Sequence, residues 1–334
     1  MSSRIPKTGT RSALDPQIQA FLAQNSNLHL GDADFLSERR YHTEVFGFHY
    51  HPLPLQAPIG HVEFTAIRGP HGTIPIRIFY PLSGRERQRA RDAAALIYFH
   101  GGGYTVGTVD EFENGCRLLA EESSVQVYAV EYRLAPEWQF PTQLDEYQAA
   151  LQWVQNEGGA ERGVNPQRVC GGGDSAGGNM TAALCLRVRT MKASRVQPMR
   201  AQVLLYPETR LPFDTPAAAE NNSGLYLECN GIFSFADHYI PRGARPSHPD
   251  VSPGMQPVSS LHDLPPAAIY TNGFDPLRDV GVEYASKLHE AGNRVVWRHY
   301  DSLPHGFLQM APWSQMAMAA TKQVGKDLRR LAYG

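Results

Sequence analysis

The strongest constraint on the fold is an alternation of short apolar runs with helix-length segments. "HVEFTAIRG" (61–69) and "TIPIRIFYP" (73–81) read as two strands joined by a turn at "PHG". Six further runs follow: "AALIYF" (94–99), "VQVYAV" (125–130), "RVCGG" (168–172), "AQVLLY" (201–206), "AAIYT" (267–271) and "RVVWRHY" (294–300). Helix-length stretches at 110–122, 142–156, 176–190 and 276–291 lie between most of them. Runs this short and this apolar are strands buried on both faces, and strands alternating with helices give a mainly parallel α/β sheet. In such sheets ligands bind beyond the carboxyl ends of the strands. Residues 1–50 and 207–263 break the alternation. A structureless loop as long as the second is uncommon inside a domain, so it reads as an inserted element that covers something together with residues 1–50. The core is then split into residues 51–206 and 264–334.

Composition removes several classes of function. The formal net charge is −2 over 334 residues, with no long run of one sign, so no footprint for nucleic acid or an anionic membrane is present. No apolar segment of about 18 residues exists to span a bilayer. Cys116, Cys170, Cys185 and Cys229 lack paired spacing, which argues against a zinc site or a disulfide scaffold and for a cytoplasmic location. Cys170 and Cys185 sit in apolar runs and read as core.

The segment "CGGGDSAGGNM" (170–180) crowds five glycines around Ser175. "GGGDSA" fits a dinucleotide fingerprint, but no acidic residue occurs between Ser175 and Glu208, where that motif needs one for the ribose. Gly173-Asp174-Ser175-Ala176-Gly177 also fits G-x-S-x-G, a sharp strand-to-helix turn that lifts a serine hydroxyl into the open. Such a serine needs a base, an orienting acid and oxyanion donors. "FHGGGYTVG" after the run 94–99 bares consecutive backbone N–H groups, and Ala176 adds one at a helix start; His100 reads as a brace for that loop. His305, between Pro304 and Gly306, follows the last run and is the candidate base. Asp275 follows the preceding run and is the candidate acid, better placed than Asp279 one helical turn on, while Asp174 reads as bonding within its own turn. The chain order Ser, Asp, His matches one serine-triad arrangement and no other.

Together "HGGGY", "YRLAPE" (132–137), "GDSAGG", "DPLRD" (275–279) and "HGF" (305–307) resemble the bacterial hormone-sensitive-lipase-like, or family IV, esterases of the GDSAG subgroup. The resemblance spans about residues 60–330. It implies an α/β-hydrolase fold, with residues 1–50 and 207–263 as a helical cap. It implies Ser175 as nucleophile, Asp275 as acid, His305 as base, and Gly101, Gly102 and Ala176 as the oxyanion hole, with no metal or cofactor. The expected substrates are small-molecule esters with short to medium acyl chains. Tyr104, Phe213, Tyr226, Phe233, Phe235 and Phe307 are candidates for an apolar acyl pocket, or simply for packing under the cap. An amidase or peptidase with the same triad, or a non-catalytic binding protein on the fold, are the alternatives. A homodimer through the last strand and helix is a further implication; the apolar face of "APWSQMAMAATKQV" could serve it or pack on the sheet.

Overall fold

The computed structural model describes residues 4–31, 34–191 and 196–334, with the side chains of 230–234 outside the description. All eight apolar runs are strands: β1 (His61–Gly69), β2 (Gly72–Tyr80), β3 (Ala93–Phe99), β4 (Gln126–Val130), β5 (Val164–Asp174), β6 (Gln202–Leu205), β7 (Ala267–Phe274) and β8 (Val295–Pro304). They form one sheet in the order β1-β2-β4-β3-β5-β6-β7-β8. The pairs β1–β2 and β2–β4 are antiparallel and the remaining neighbours are parallel. β5 continues past the run 168–172 because Gly173 and Asp174 go on pairing with Leu204 and Leu205. Glycine weakens a strand by its freedom, but the ladder on either side holds it here.

The principal helices are α1 (Pro16–Gln24), α2 (Phe35–Phe46), α3 (Val109–Ser123), α4 (Thr142–Gln155), α5 (Ala176–Thr190), α6 (Cys229–Tyr239), α7 (Arg278–Glu290) and α8 (Gln315–Tyr333). Strand periodicity sorts the core into two layers. Leu96, Val127, Val203 and Ala268 face one side and pack with Leu119 of α3 and with Val324 and Leu328 of α8. Ile97, Tyr128, Leu204 and Ile269 face the other and pack with Leu151 of α4, Leu184 of α5 and Leu288 of α7. Val324 and Leu328 of α8 are buried against α3 and the Leu96 side of the sheet. Cys170 and Cys185 are buried, one in each layer.

The two stretches outside the alternation meet each other. Leu30 N donates to Tyr226 O at 2.9 Å, and Glu228 N donates to Leu30 O at 2.8 Å. Asp279, at the start of α7, ties both to the sheet layer. Its Oδ1 accepts from Gly9 N at 2.9 Å and its Oδ2 from Ala217 N at 3.0 Å.

Strand β5 is thin where it enters the glycine cluster, and α4 fills the space. The Tyr147 hydroxyl accepts from Gly172 N at 3.0 Å and lies 2.9 Å from Thr181 Oγ1, with its ring stacked on Phe99 at 4.0 Å. A Cβ at Gly171 would stand 2.9 Å from that hydroxyl. Tyr147→Phe leaves the buried Gly172 N–H without its acceptor, so it is expected to destabilise the fold by about 1–3 kcal/mol. Urea denaturation measures this, and an unchanged midpoint would contradict the assignment.

Candidate active site

The site is built on the β5–α5 junction. Ser175 sits between strand and helix at φ 52°, ψ −118°, a conformation that costs a non-glycine residue of order 1–3 kcal/mol. Its surroundings hold it there. Ser175 N donates to Leu205 O at 2.8 Å, and its carbonyl accepts from Asn179 N at 3.0 Å and Glu208 N at 3.2 Å. The turn can be this tight because Gly173 and Gly177 have no side chains: a Cβ on either would overlap the Phe99 carbonyl.

Asp275 and His305 follow directly on adjacent strands. Phe274 pairs with Pro304 at the last register of β7 and β8, so the next residue of each chain segment meets the other. His305 Nδ1 lies 2.9 Å from Asp275 Oδ2, with both residues buried. Asp275 Oδ1 accepts from Leu277 N at 2.8 Å, which closes a turn and delays α7 to Arg278, two residues after Pro276. His305 Nε2 is buried and has no hydrogen-bond partner among the described residues. Asp279, occupied by Gly9, Ala217 and Arg278, is a clasp and not part of this pair.

The HGGG loop lies against the elbow. Gly101 N donates to Asp174 Oδ1 at 2.9 Å, and the Tyr98 hydroxyl donates to the same oxygen at 2.6 Å. This corrects the expectation for Gly101: its N–H is spent on Asp174 and cannot also serve an oxyanion. The N–H groups of Gly102 and Gly103 have no partner among the described residues, and Ala176 N is at the first position of α5, where helix amides lack intrahelical acceptors. Gly102 has φ 103° because the loop folds back on Val106. His100 braces the loop. Its Nδ1 bonds to Gly101 O at 2.8 Å, its ring stacks on Tyr132 at 4.4 Å, and burial lowers its pKa to about 4, so it is neutral. Burial raises Asp174 to about 6 against the pull of Tyr98 and Gly101.

With the geometry defined, kinship decides the class. A model of the alpha/beta hydrolase fold family matches residues 96–309. The chain is 33% identical over 326 residues to the carboxylic ester hydrolase LipN of Mycobacterium tuberculosis, covering 95% of this chain and 83% of that one. It is 34% identical to an ethyl acetate hydrolase of Pseudomonas putida, over 71% of this chain and 72% of that one. The crystal structure of a thermostable esterase from Pseudomonas putida superposes with a TM-score of 0.85 at 28% identity, covering 96% of this chain and 98% of the other. The chain belongs to the hormone-sensitive-lipase-like esterase family of the α/β-hydrolase fold.

In this α/β-hydrolase a small cavity, with room for about one water molecule, adjoins His305. Gly102, Gly107, Glu111, Asp174, Gly306 and Gln309 contribute from the core, and Leu30, His42 and Tyr226 from the covering segments. Of the aromatic candidates, Tyr226 lines it, over Gly306 and with its hydroxyl 3.1 Å from His42 Nε2. Phe235 stands against Gly103. Tyr104 is buried and stacked on Tyr239 at 3.7 Å, and Phe213 is buried in the core. Phe307 is fully buried against Tyr206 and Tyr300, packing below the site and not among the residues that line the cavity. The side chain of Phe233 lies outside the described residues. His42, Glu111 and Gln309 carried no motif, and the fold alone reveals their position. Among the described residues no group of three or more His, Cys, Asp or Glu side chains is arranged to hold a metal, and no helix is long and apolar enough to cross a membrane.

Asp174 thus couples the elbow to the HGGG loop through one oxygen. Asp174→Ala unties the loop at Gly101, so the amides of Gly102 and Gly103 are no longer held in place, and it is expected to lower kcat on a soluble ester by about a hundredfold, the loss expected when one donor amide is misplaced. Asp174→Asn keeps an Oδ1 that can accept both bonds and should retain most of the rate. Equal kcat in wild type and the alanine variant would contradict this role.

Proposed function

We propose that the protein hydrolyses carboxylic esters with short to medium acyl chains through Ser175, His305 and Asp275 and an acyl-enzyme intermediate. The observation that carries this reading is the Asp275–His305 pair: Nδ1 is held at 2.9 Å by a buried carboxylate, which leaves Nε2 without a partner beside the cavity. With Nδ1–H given to Asp275, Nε2 carries the lone pair that a base needs. His305 takes the proton as Ser175 Oγ attacks the ester carbonyl, and Asp275 stabilises the imidazolium that forms. The oxyanion is received by the N–H groups of Gly102, Gly103 and Ala176. Collapse expels the alcohol, which takes the proton from His305, and water then repeats the sequence on the acyl-enzyme.

The bridge between Leu30 and Leu227 supports residues 1–50 and 207–263 acting as one cap over the strand ends. The relatives named as a carboxylic ester hydrolase and an ethyl acetate hydrolase support the ester as substrate class.

A series of p-nitrophenyl esters from acetate to palmitate tests this directly. Turnover is expected to be fastest at acetate to hexanoate and to be abolished by Ser175→Ala. Asp275→Asn should fold normally and lose about 10⁴ in kcat, because the imidazole then takes the wrong tautomer. Folded protein that cleaves amides and no ester would overturn the reading in favour of an amidase.

A further inference from the structure

The cavity beside His305 contains a carboxyl group that neither the triad nor the oxyanion loop uses. Glu111, in the first turn of α3, is 3% exposed and lines the cavity with Gly102 and His305. Its two oxygens are not equivalent. Oε1 accepts from Thr43 Oγ1 of α2 at 2.8 Å and from Thr108 Oγ1 at 3.2 Å. Oε2 is buried and has no hydrogen-bond partner among the described residues. One oxygen is anchored to Thr43 and Thr108, and the other, on a residue that lines the cavity, has no such anchor.

The protonation state follows from the surroundings. Burial pushes the Glu111 carboxyl up to about 8; the Thr43 and Thr108 bonds oppose this, and Glu131 and Asp110 reinforce it. The nearby cations are engaged elsewhere, Arg77 with Asp110 and Glu113 and Arg39 with Glu137. Across the cavity stand Asp174, His305 and His42, and burial keeps His42 neutral at about 4. At neutral pH Glu111 is therefore a carboxylic acid, and the free oxygen can carry an O–H donor.

A buried donor discriminates strongly between ligands. A ligand that offers an acceptor satisfies it, whereas an alkyl chain of the same shape leaves it desolvated and unpaired. We propose that Glu111 is a specificity-determining residue that donates a hydrogen bond to a second oxygen of the substrate. The enzyme then selects esters bearing an ether, carbonyl or hydroxyl oxygen a short way along the chain over plain alkyl esters of equal length. This inference rests on the ester-hydrolase reading above. Ionisation removes the preference, because a carboxylate cannot donate, and it adds a negative charge near the developing oxyanion.

The test uses two isosteric pairs of p-nitrophenyl esters: methoxyacetate against butanoate, and 3-methoxypropanoate against pentanoate. The ratio of kcat/KM within each pair is compared among wild type, Glu111→Leu and Glu111→Gln, so that the intrinsic reactivity of each ester cancels. At pH 7 the wild-type ratio is expected to exceed that of Glu111→Leu by about three- to tenfold for at least one pair, the scale of one neutral hydrogen bond. The wild-type advantage should vanish by pH 9. Glu111→Gln, whose amide donates and does not ionise, should keep it, which also separates Glu111 from the buried Glu208 carboxyl that is likewise raised to about 8. Equal ratios in wild type and Glu111→Leu for both pairs would overturn the proposal. Should the leucine variant fail to fold, a wild-type ratio unchanged between pH 7 and pH 9 would overturn it equally. Absence of turnover of butanoate by wild type is a different result: it removes the ester-hydrolase reading, and this inference with it.

Discussion

Everything at the site depends on how closely strand β5 and helix α5 approach strand β3. Gly173 and Gly177 bring their backbones against the Phe99 carbonyl, where no Cβ fits. That contact leaves Ser175 a single way round the corner, at positive φ, and the hydrogen bonds from Ser175 N to Leu205 O and from Glu208 N to Ser175 O secure it from the β6 side. Strain of this kind persists only where the neighbours over-determine the conformation. Here a parallel sheet, a helix and Tyr147 from α4 all do so.

From that corner the remaining groups are reached through few intermediaries. Asp174 passes the position of the elbow to the HGGG loop, and His100 fixes the loop's far side by bonding Gly101 O and stacking on Tyr132. The register of β7 on β8 brings Asp275 to His305 without any long-range loop. The cost is a cluster of buried carboxyls. Asp174, Glu111 and Glu208 are all raised by burial, and each is most comfortable when protonated. A group raised in this way favours the folded state below its unfolded pKa and loses that contribution as pH rises through the folded value. As pH rises from about 4, stability is therefore lost progressively, up to about pH 6 for Asp174 and about pH 8 for Glu111 and Glu208.

Much of this was legible in the chain. The eight strands and the order of Ser175, Asp275 and His305 follow from short apolar runs between helix-length segments and from residues adjacent to strand ends, both of which are local signals. What was not legible depends on contacts across the sheet. Which glycine amides stay free depends on Asp174 reaching over from β5 to take Gly101, and the spacing of the HGGG motif does not contain that information. Phe307 lies two residues after His305, yet it packs onto Tyr206 and Tyr300 because the chain turns at Gly306, whose φ is 79°. His42, Glu111 and Gln309 meet at one cavity from three segments far apart in sequence, and each taken singly is an ordinary helix residue.

The central claim is that this geometry makes Ser175 a nucleophile. The most direct measurement is reaction with an electrophilic phosphonate ester, which a serine activated by a base attacks to leave a stable tetrahedral adduct. Mass spectrometry of the intact protein and of its peptides reads both stoichiometry and site. The account predicts one adduct per chain, on the peptide carrying Ser175, and none in His305→Ala. A folded protein that stays unlabelled, or carries its adduct on another residue, would contradict it.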